Sequence, residues 1–476
     1  MVHDTPTVIL FVTNSESGQA NTILALVAEL LSRPDTEVHV ASFAALEKRV
    51  AALRNNVLSQ PSSSSLTFHT IHGVDMNTAL RQRGIRDEDL IHSPTTKSYK
   101  AYDIASSIVT AWSCEDIIRT TDPDMSVIDY LFNPARDAAT CLDIPYILSN
   151  PSSALDVIGT DHPRLKFFWY YPAFGSGLPF PIPLRKIWKN IKMKLRMLYS
   201  YLTAREISAL VKYRNSHGIF GRLPHETPLR KATEVISPDI VDLDFPFKQP
   251  SNLRLYGPIV LDGLPVRDLD PQLSDWLDAG PTVLMSMGTH FTYTRAQVRA
   301  VLRGFLIALD QKTRVLWKLP RDSSFNDIID ELLPGIEDKE RFKIVDWIPV
   351  DPFSIMTHRN VMAFVHHGGA NSYFEAALAA LPQVILAQWY DLYDNATRAE
   401  YRRIGIYGNK GVAPDIDADE FAAALRRVAG PGREAEDYRT RALEVSGLCR
   451  AAGGRRAAVD RILELSTQHQ RKIRDS

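Results

Sequence analysis

The sequence predicts an α/β protein made of two doubly wound parallel sheets facing each other, and three observations carry that prediction. At 476 residues the chain exceeds what one hydrophobic core sustains, so two domains are expected. Short apolar runs alternate with helical stretches, the pattern of strands joined by crossover helices. A proline-bearing stretch, Asp242-Leu243-Asp244-Phe245-Pro246-Phe247 and then Gln249-Pro250-Ser251-Asn252, interrupts the alternation once before it restarts. The expected division is a first domain over 1–245, a linker over 246–256, a second domain over 257–440 and closing helices over 441–476.

The elements follow in order. A strand from Thr7 to Thr13 precedes a helix from Asn21 to Ser32, then strands run from Glu37 to Phe43 and from Leu66 to Ile71. A long helix is expected from roughly Tyr99 to Thr120, and strands from Met125 to Tyr130 and from Pro145 to Leu148. Beyond the linker, Thr282 to Met287 reads as a strand, Arg295 to Leu309 as a helix, and Arg314 to Leu319 and Phe342 to Val345 as strands. Val361 to Val365 is the apolar run of one more buried strand.

Composition excludes several classes. A net charge of -1 leaves no basic excess for general nucleic-acid binding. The apolar part of MVHDTPTVILFVTNSESG is too short and wrongly flanked for a secretory signal, and no run of about 18 apolar residues occurs. The C-terminus ends TQHQRKIRDS without a hydrophobic anchor. Cys114, Cys141 and Cys449 are scattered and odd in number, as expected of idle thiols in a reducing compartment, so a cytoplasmic protein is expected.

The stretch most informative about function is Phe364 to Ala396, FVHHGGANSYFEAALAALPQVILAQWYDLYDNA. Strand, glycine turn and helix start follow one another there. A helix N-terminus has unpartnered N–H groups and partial positive charge, and glycine admits a phosphate close to the backbone. Asn371 and Ser372 can cap the helix or donate to the same anion. Glu375 stands three residues after Ser372 on the same face, where a carboxylate suits a vicinal diol. Anion seat and acid together suggest a nucleotide ribose with its diphosphate, although no GxGxxG run is present. A bare GG is otherwise only a turn. His366-His367 could be read as a metal pair, but neighbours on a strand point to opposite faces, which disfavours it.

These residues resemble the nucleotide-sugar signature of the family 1 glycosyltransferases, the UDP-glycosyltransferases of small molecules, and QWYDLYDNA resembles the wording of fungal members. The resemblance implies a GT-B fold and inverting transfer from a nucleotide sugar. It implies that His367 and the amides around Gly369 and Ala370 hold the diphosphate, that Asn371 and Ser372 add phosphate contacts, and that Glu375 holds the ribose. Trp347, beside Ile348, matches the aromatic on which the family stacks uracil. Ser286, Gly288 and Thr289 end a strand where a loop could reach the phosphates. Tyr390, Asp391 and Leu392 fall where the sugar is read. The family usually carries Gln at Val350 and an acid-Gln pair at Asp391-Leu392, so one ribose contact and one sugar contact are altered, and sugar selectivity with them. No tightly bound cofactor is implied, only a UDP-sugar co-substrate, expected to be UDP-glucose.

Inverting transfer to a hydroxyl needs a base across the cleft, with an acid to orient it. The family places His just after the first strand; here Ser17 is read at that position, and serine has no useful basicity. Asp129 matches the partner acid. Glu16 is an alternative base, read as a solvated loop charge. Three explanations of Ser17 stand: a base-disabled variant of an active enzyme, an acceptor that needs little deprotonation, or a silent nucleotide-sugar-binding or partner-activating module. Transfer is ranked first because the donor signature is intact.

The aromatic run from Leu165 to Gly177, with Phe168, Trp169 and Phe174, suits a hydrophobic acceptor pocket and equally suits core packing. Arg185, Lys186, Lys189, Lys192, Lys194 and Arg196 interleave with apolar residues; an ordinary amphipathic helix with a solvated basic face is expected, ahead of a membrane-surface helix. No metal is expected, because the Asp-x-Asp strings at 242/244, 268/270 and 415/417 lie in linker-like sequence or before a helix. The expected activity is transfer of a hexose from a UDP-sugar to a small aromatic or terpenoid acceptor.

Overall fold

In the computed structural model, residues 6–57, 64–75, 78, 104–159, 163–220, 223, 232–261, 263–289, 291–320, 322–335 and 340–475 are described. Two parallel sheets organise them. The first contains β1 (Thr7–Val12), β2 (Thr36–Ser42), β3 (Ser65–Thr70), β4 (Met125–Asp129), β5 (Tyr146–Ser149), β6 (Glu234–Ser237) and β7 (Leu253–Leu255). Their spatial order is β3-β2-β1-β4-β5-β6-β7, every neighbouring pair parallel.

The second sheet contains β8 (Thr282–Ser286), β9 (Arg314–Lys318), β10 (Phe342–Val345), β11 (Val361–His366), β12 (Gln383–Ile385) and β13 (Gly405–Tyr407), in the order β10-β9-β8-β11-β12-β13. Strands β4, β8 and β12 are buried along their whole length, because helices cover both faces of a parallel sheet. Each fully buried Val, Leu or Ile contributes about 1.5–3 kcal/mol, so these runs are what commits the segments to strands.

Strand order reverses between β1 and β4 in the first sheet and between β8 and β11 in the second. At such a switch point the crossover helices leave to opposite sides and open a crevice beyond the strands' carboxyl ends. Ser17 and Asp129 follow or end the strands at one crevice; Ser286, Gly288 and His367 stand at the other. The sequence therefore put its candidate residues at the two openings of the architecture.

Two expectations about elements are corrected. Leu253–Leu255, inside the stretch 246–256 read as linker, is a strand paired with β6. Its apolar Leu253 fills the first-domain core, so the edge strand closes that sheet before the chain crosses over. Nor is 242–247 a loose tether: Asp244 and Phe245 are 0% and 2% exposed. The long helix runs Ile104–Thr121, and 99–103 lie outside the described residues. The terminal helices Arg433–Ala451 and Gly454–Asp475 return across the molecule, where Ala458, Val459, Ile462 and Leu465 join the core between β1, β2 and helix Ser17–Leu31. Among the described residues no helix is long and apolar enough to cross a membrane.

Candidate active site

β11 ends at His366, and the chain turns through His367-Gly368-Gly369 into helix Ala370–Leu378. Gly369 is the residue before the first helical turn, no side chain caps that turn, and it contains no acid. The positive helix end is thus left to a ligand. The His367 ring lies against two glycines: a Cβ on Gly288 would stand 2.8 Å from its Cε1, and one on Gly369 would stand 2.6 Å from its Nε2. Gly288 also has φ +77°, so any side chain there meets both strain and collision. His366 is a different kind of residue. It is fully buried, its Nδ1 accepts from the Gly368 N–H at 3.1 Å, and its Nε2 lies 2.9 Å from Gln383 Oε1, so both ring nitrogens serve the turn and neither offers a lone pair to a metal. Burial pushes its pKa down to about 3.

Around this turn, Ser286 is 9% exposed at the end of β8 and Thr289 is exposed. Lys318 lies over the Trp347 ring at 4.1 Å and reaches the Gly288 carbonyl at 3.5 Å, and Trp347 is still 64% exposed. Ile348 and Leu392, expected among the donor contacts, have side chains 9% and 3% exposed inside apolar clusters. Their side chains serve packing, which leaves only their backbone groups for a ligand. Glu375 lines a cavity between the domains together with Asn21, Arg49, Asp351, Asn371 and Phe374. Burial, reinforced by the Asp351 carboxylate, pushes Glu375 up to about 8.

The opposite wall is the first turn of helix Ser17–Leu31. Asn371 Nδ2 reaches the carbonyls of Ser17 and Gly18 at 3.5 and 3.4 Å, so donor-side helix and first-domain turn touch. The exposed Ser17 hydroxyl accepts from Arg49 Nη1 at 3.4 Å, while Arg49 Nη2 donates to Asn21 Oδ1 at 2.6 Å. Asp129 is 1% exposed, accepting from Thr13 Oγ1 at 3.1 Å and from the Leu131 N–H at 2.9 Å. Burial pushes its pKa up to about 6 against those hydrogen bonds. Among the described residues no hydrogen bond joins Asp129 to Ser17. Glu16, expected as a solvated charge, is 6% exposed, because the strand end and helix start fold over it. Gln19, two residues beyond Ser17, carries a buried Oε1 that accepts no hydrogen bond among the described residues.

The third wall joins donor and acceptor sides. Tyr390 has φ 43° and ψ -125°, a strained conformation for a residue with a side chain, at the entry to helix Asp391–Arg402. Its ring lies 6.2 Å from that of Phe174, and the Gly175 N–H donates to Asp394 Oδ2 at 2.8 Å. Phe174 is thereby brought against the entry to helix Asp391–Arg402. Trp169 instead packs on Tyr170 and Phe168 on Phe167. Burial raises Asp391 to about 7, helped by Asp156. Beneath lies a buried ion cluster: Arg398 donates to Asp244 at 2.9 Å and to Asp156 at 2.7 Å, linking both domains and the crossing segment.

Sequence reading missed Arg49, Asp351, Gln19 and Arg398. Only Arg398 left a trace, since Asp391, Asp394, Asn395 and Arg398 recur at helical spacing and mark a polar face turned inward.

A family model described as "Erythromycin biosynthesis protein CIII-like, C-terminal domain" matches residues 332–447, the segment holding the donor-side turn. The chain is 34% identical over 496 aligned residues to glycosyltransferase sdnJ of Sordaria araneosa, covering 94% of this chain and 95% of that protein. This chain belongs to the family 1 glycosyltransferases. It is an enzyme of the UDP-glycosyltransferase type. Erythritol-mannosyl-transferase 1 of Mycosarcoma maydis is 29% identical over half of this chain and 47% of its own length. Among solved structures, a UDP-glucose:anthocyanidin 3-O-glucosyltransferase in complex with UDP superposes with a TM-score of 0.67, at 15% identity over 98% of this chain and 99% of that one. A UDP-glucosyltransferase from Polygonum tinctorium gives 0.65, at 18% identity over 98% and 99%. The two-sheet glycosyltransferase is therefore of the GT-B fold.

Proposed function

We propose that this glycosyltransferase moves a hexose, glucose, from UDP-glucose to a small apolar acceptor, aromatic or terpenoid, with inversion at the anomeric carbon. The observation that carries this reading is the uncapped N-terminus of helix Ala370–Leu378 with the His367 ring packed beside it and Glu375 one turn further in, facing Ser17 and Gly18 across the cleft. Backbone N–H groups and His367 would neutralise the diphosphate, so leaving-group charge is met by groups already in place. Glu375 would take the ribose diol, Trp347 the uracil, and Asp391 the sugar hydroxyls. Ser286, Gly288, Thr289, Asn371 and Ser372 would line the phosphates, and Tyr390 with Phe174 would separate sugar from acceptor. Relatives' names support the range of chemistry: one solved neighbour acts on anthocyanidin, another is a glucosyltransferase described as capable of glucosylating indoxyl.

The acceptor's proton is the open step. Ser17 is no base, and Asp129 lies buried beneath the turn, so it orients and does not itself meet the acceptor. An acceptor ionised near neutral pH would need no base. A silent nucleotide-sugar-binding protein is the second reading, and the exposed, Arg49-bound Ser17 favours it. UDP release and product mass, measured with UDP-glucose and a panel of phenols, acids and terpenoid alcohols, separate the two. Ser17→His and Gln19→His are run beside the parent, Gln19 because its orphaned oxygen marks a polar position in the same turn. Turnover by the parent on acidic acceptors, or a gain of about a hundredfold or more in a histidine variant, sustains transfer. UDP binding without turnover in all three favours the silent protein.

A further inference from the structure

Helix Ile187–Leu202 buries two polar side chains and leaves a row of large apolar ones exposed. Asn190 and Lys194 face inward at 0% and 4% exposure. Asn190 accepts from the Ala173 N–H at 2.7 Å and donates to the carbonyls of Phe168 and Tyr171 at 3.0 and 2.9 Å, and Lys194 caps the Phe167 carbonyl. These bonds orient the helix. Large apolar residues consequently face out: Trp188 is 80% exposed, Tyr199 70%, Leu202 68%, Leu195 51% and Leu198 45%. At about 100° per residue they fall on one sector, roughly 21 Å long from Trp188 to Leu202. Leu184, 86% exposed just before the helix, extends it. The basic face is solvated as expected, but large apolar side chains that an ordinary amphipathic helix would bury are exposed beside it.

A contiguous apolar face in water is costly and marks an interaction site. Its flank identifies the occupant. Lys189, Lys192 and Arg196 are exposed beside the apolar sector, and Arg185 precedes it. From His162 to Arg205 the sequence has no Asp or Glu and nine Lys or Arg, in a chain whose net charge is -1. A second copy of the same face would bring like charges together, whereas an anionic lipid surface matches both features: apolar side chains enter the acyl boundary and cations meet the headgroups. We propose that this face docks the protein on an anionic bilayer. The helix holds the loop 168–173 by its inner side, so docking would set the aromatic run next to the lipid surface.

The test is flotation of the full chain, without donor or acceptor, with vesicles of phosphatidylcholine alone or enriched in phosphatidylserine. Binding to the serine-rich vesicles, weakened by salt, with a Trp188 fluorescence blue shift absent in Trp188→Phe, is the expected result. Exposed-site variants leave the core intact, so Trp188→Ser with Leu195→Ser should lose binding about tenfold or more, and Lys189→Glu with Lys192→Glu should do likewise, each still binding UDP. No vesicle binding overturns the proposal. Binding that either pair of substitutions leaves unchanged overturns it as well. So does a dimer in solution that Trp188→Ser dissolves while vesicles stay bare, which would make the face a self-interface.

Discussion

Two glycines set the room left for His367, and so for any anion beside it. Replacing Gly288 by Ala puts a Cβ 2.8 Å from the His367 ring at a positive φ, so the ring or the loop must shift. Gly288→Ala is expected to weaken UDP binding by about tenfold, roughly 1.4 kcal/mol, and to lower the melting temperature through the strain at its positive φ, and calorimetric titration with UDP checks the binding. The turn around His367 was legible because the pattern is local: strand, turn and helix start follow within a dozen residues. That the side chains of Ile348 and Leu392 are buried was not legible, because adjacency to a motif says nothing about which way a side chain turns. Glu16 was misread for the matching reason, since a charge in a loop looks solvated until the fold closes over it.

At the scale of elements, helix Asp391–Arg402 ties the molecule together. Its Arg398 is 2% exposed, and its charge is matched by Asp156 in the first domain and Asp244 in the crossing segment. Removing one partner strands the others in low dielectric, so Arg398→Ala is expected to cost about 3–5 kcal/mol, read as a lower melting temperature or denaturant midpoint. Asp156→Asn should cost clearly less, because Asp244 remains to hold the guanidinium. Nine of the thirteen described strands were readable from apolar runs with a residue or so of error at their ends, whereas β6, β12 and β13, each only three or four residues long, went unread. β7 was missed since three residues rich in neighbouring Pro and Asn look like linker, and only pairing with β6 makes them a strand.

Over the whole molecule, the interdomain region gathers carboxyls whose pKa burial raises. Asp391 and Asp394 rise from an ordinary 3.8 to about 7, and Glu375 from 4.5 to about 8. A carboxyl whose pKa is higher folded than unfolded binds more protons when folded, so stability falls as pH climbs from the unfolded value to the folded one. The ligand-free protein is therefore expected to melt at lower temperature as pH rises through the window from about 4 to 8. Asp394→Asn combined with Glu375→Gln should flatten that profile, and a melting series across pH reads it; a profile that rises with pH in this window would contradict the arrangement.

The sequence by itself determined the two-sheet class and the strand–glycine–helix turn with Glu375 on the helix that follows, because these depend on periodicity and on residues adjacent in the chain. Only the tertiary structure decided that Arg49, Asp351 and Glu375 share one cavity, that Arg398 locks three segments, and that helix Ile187–Leu202 leaves large apolar side chains exposed. Each of those depends on contacts or exposure between segments distant in the chain, whose energies local pattern does not encode.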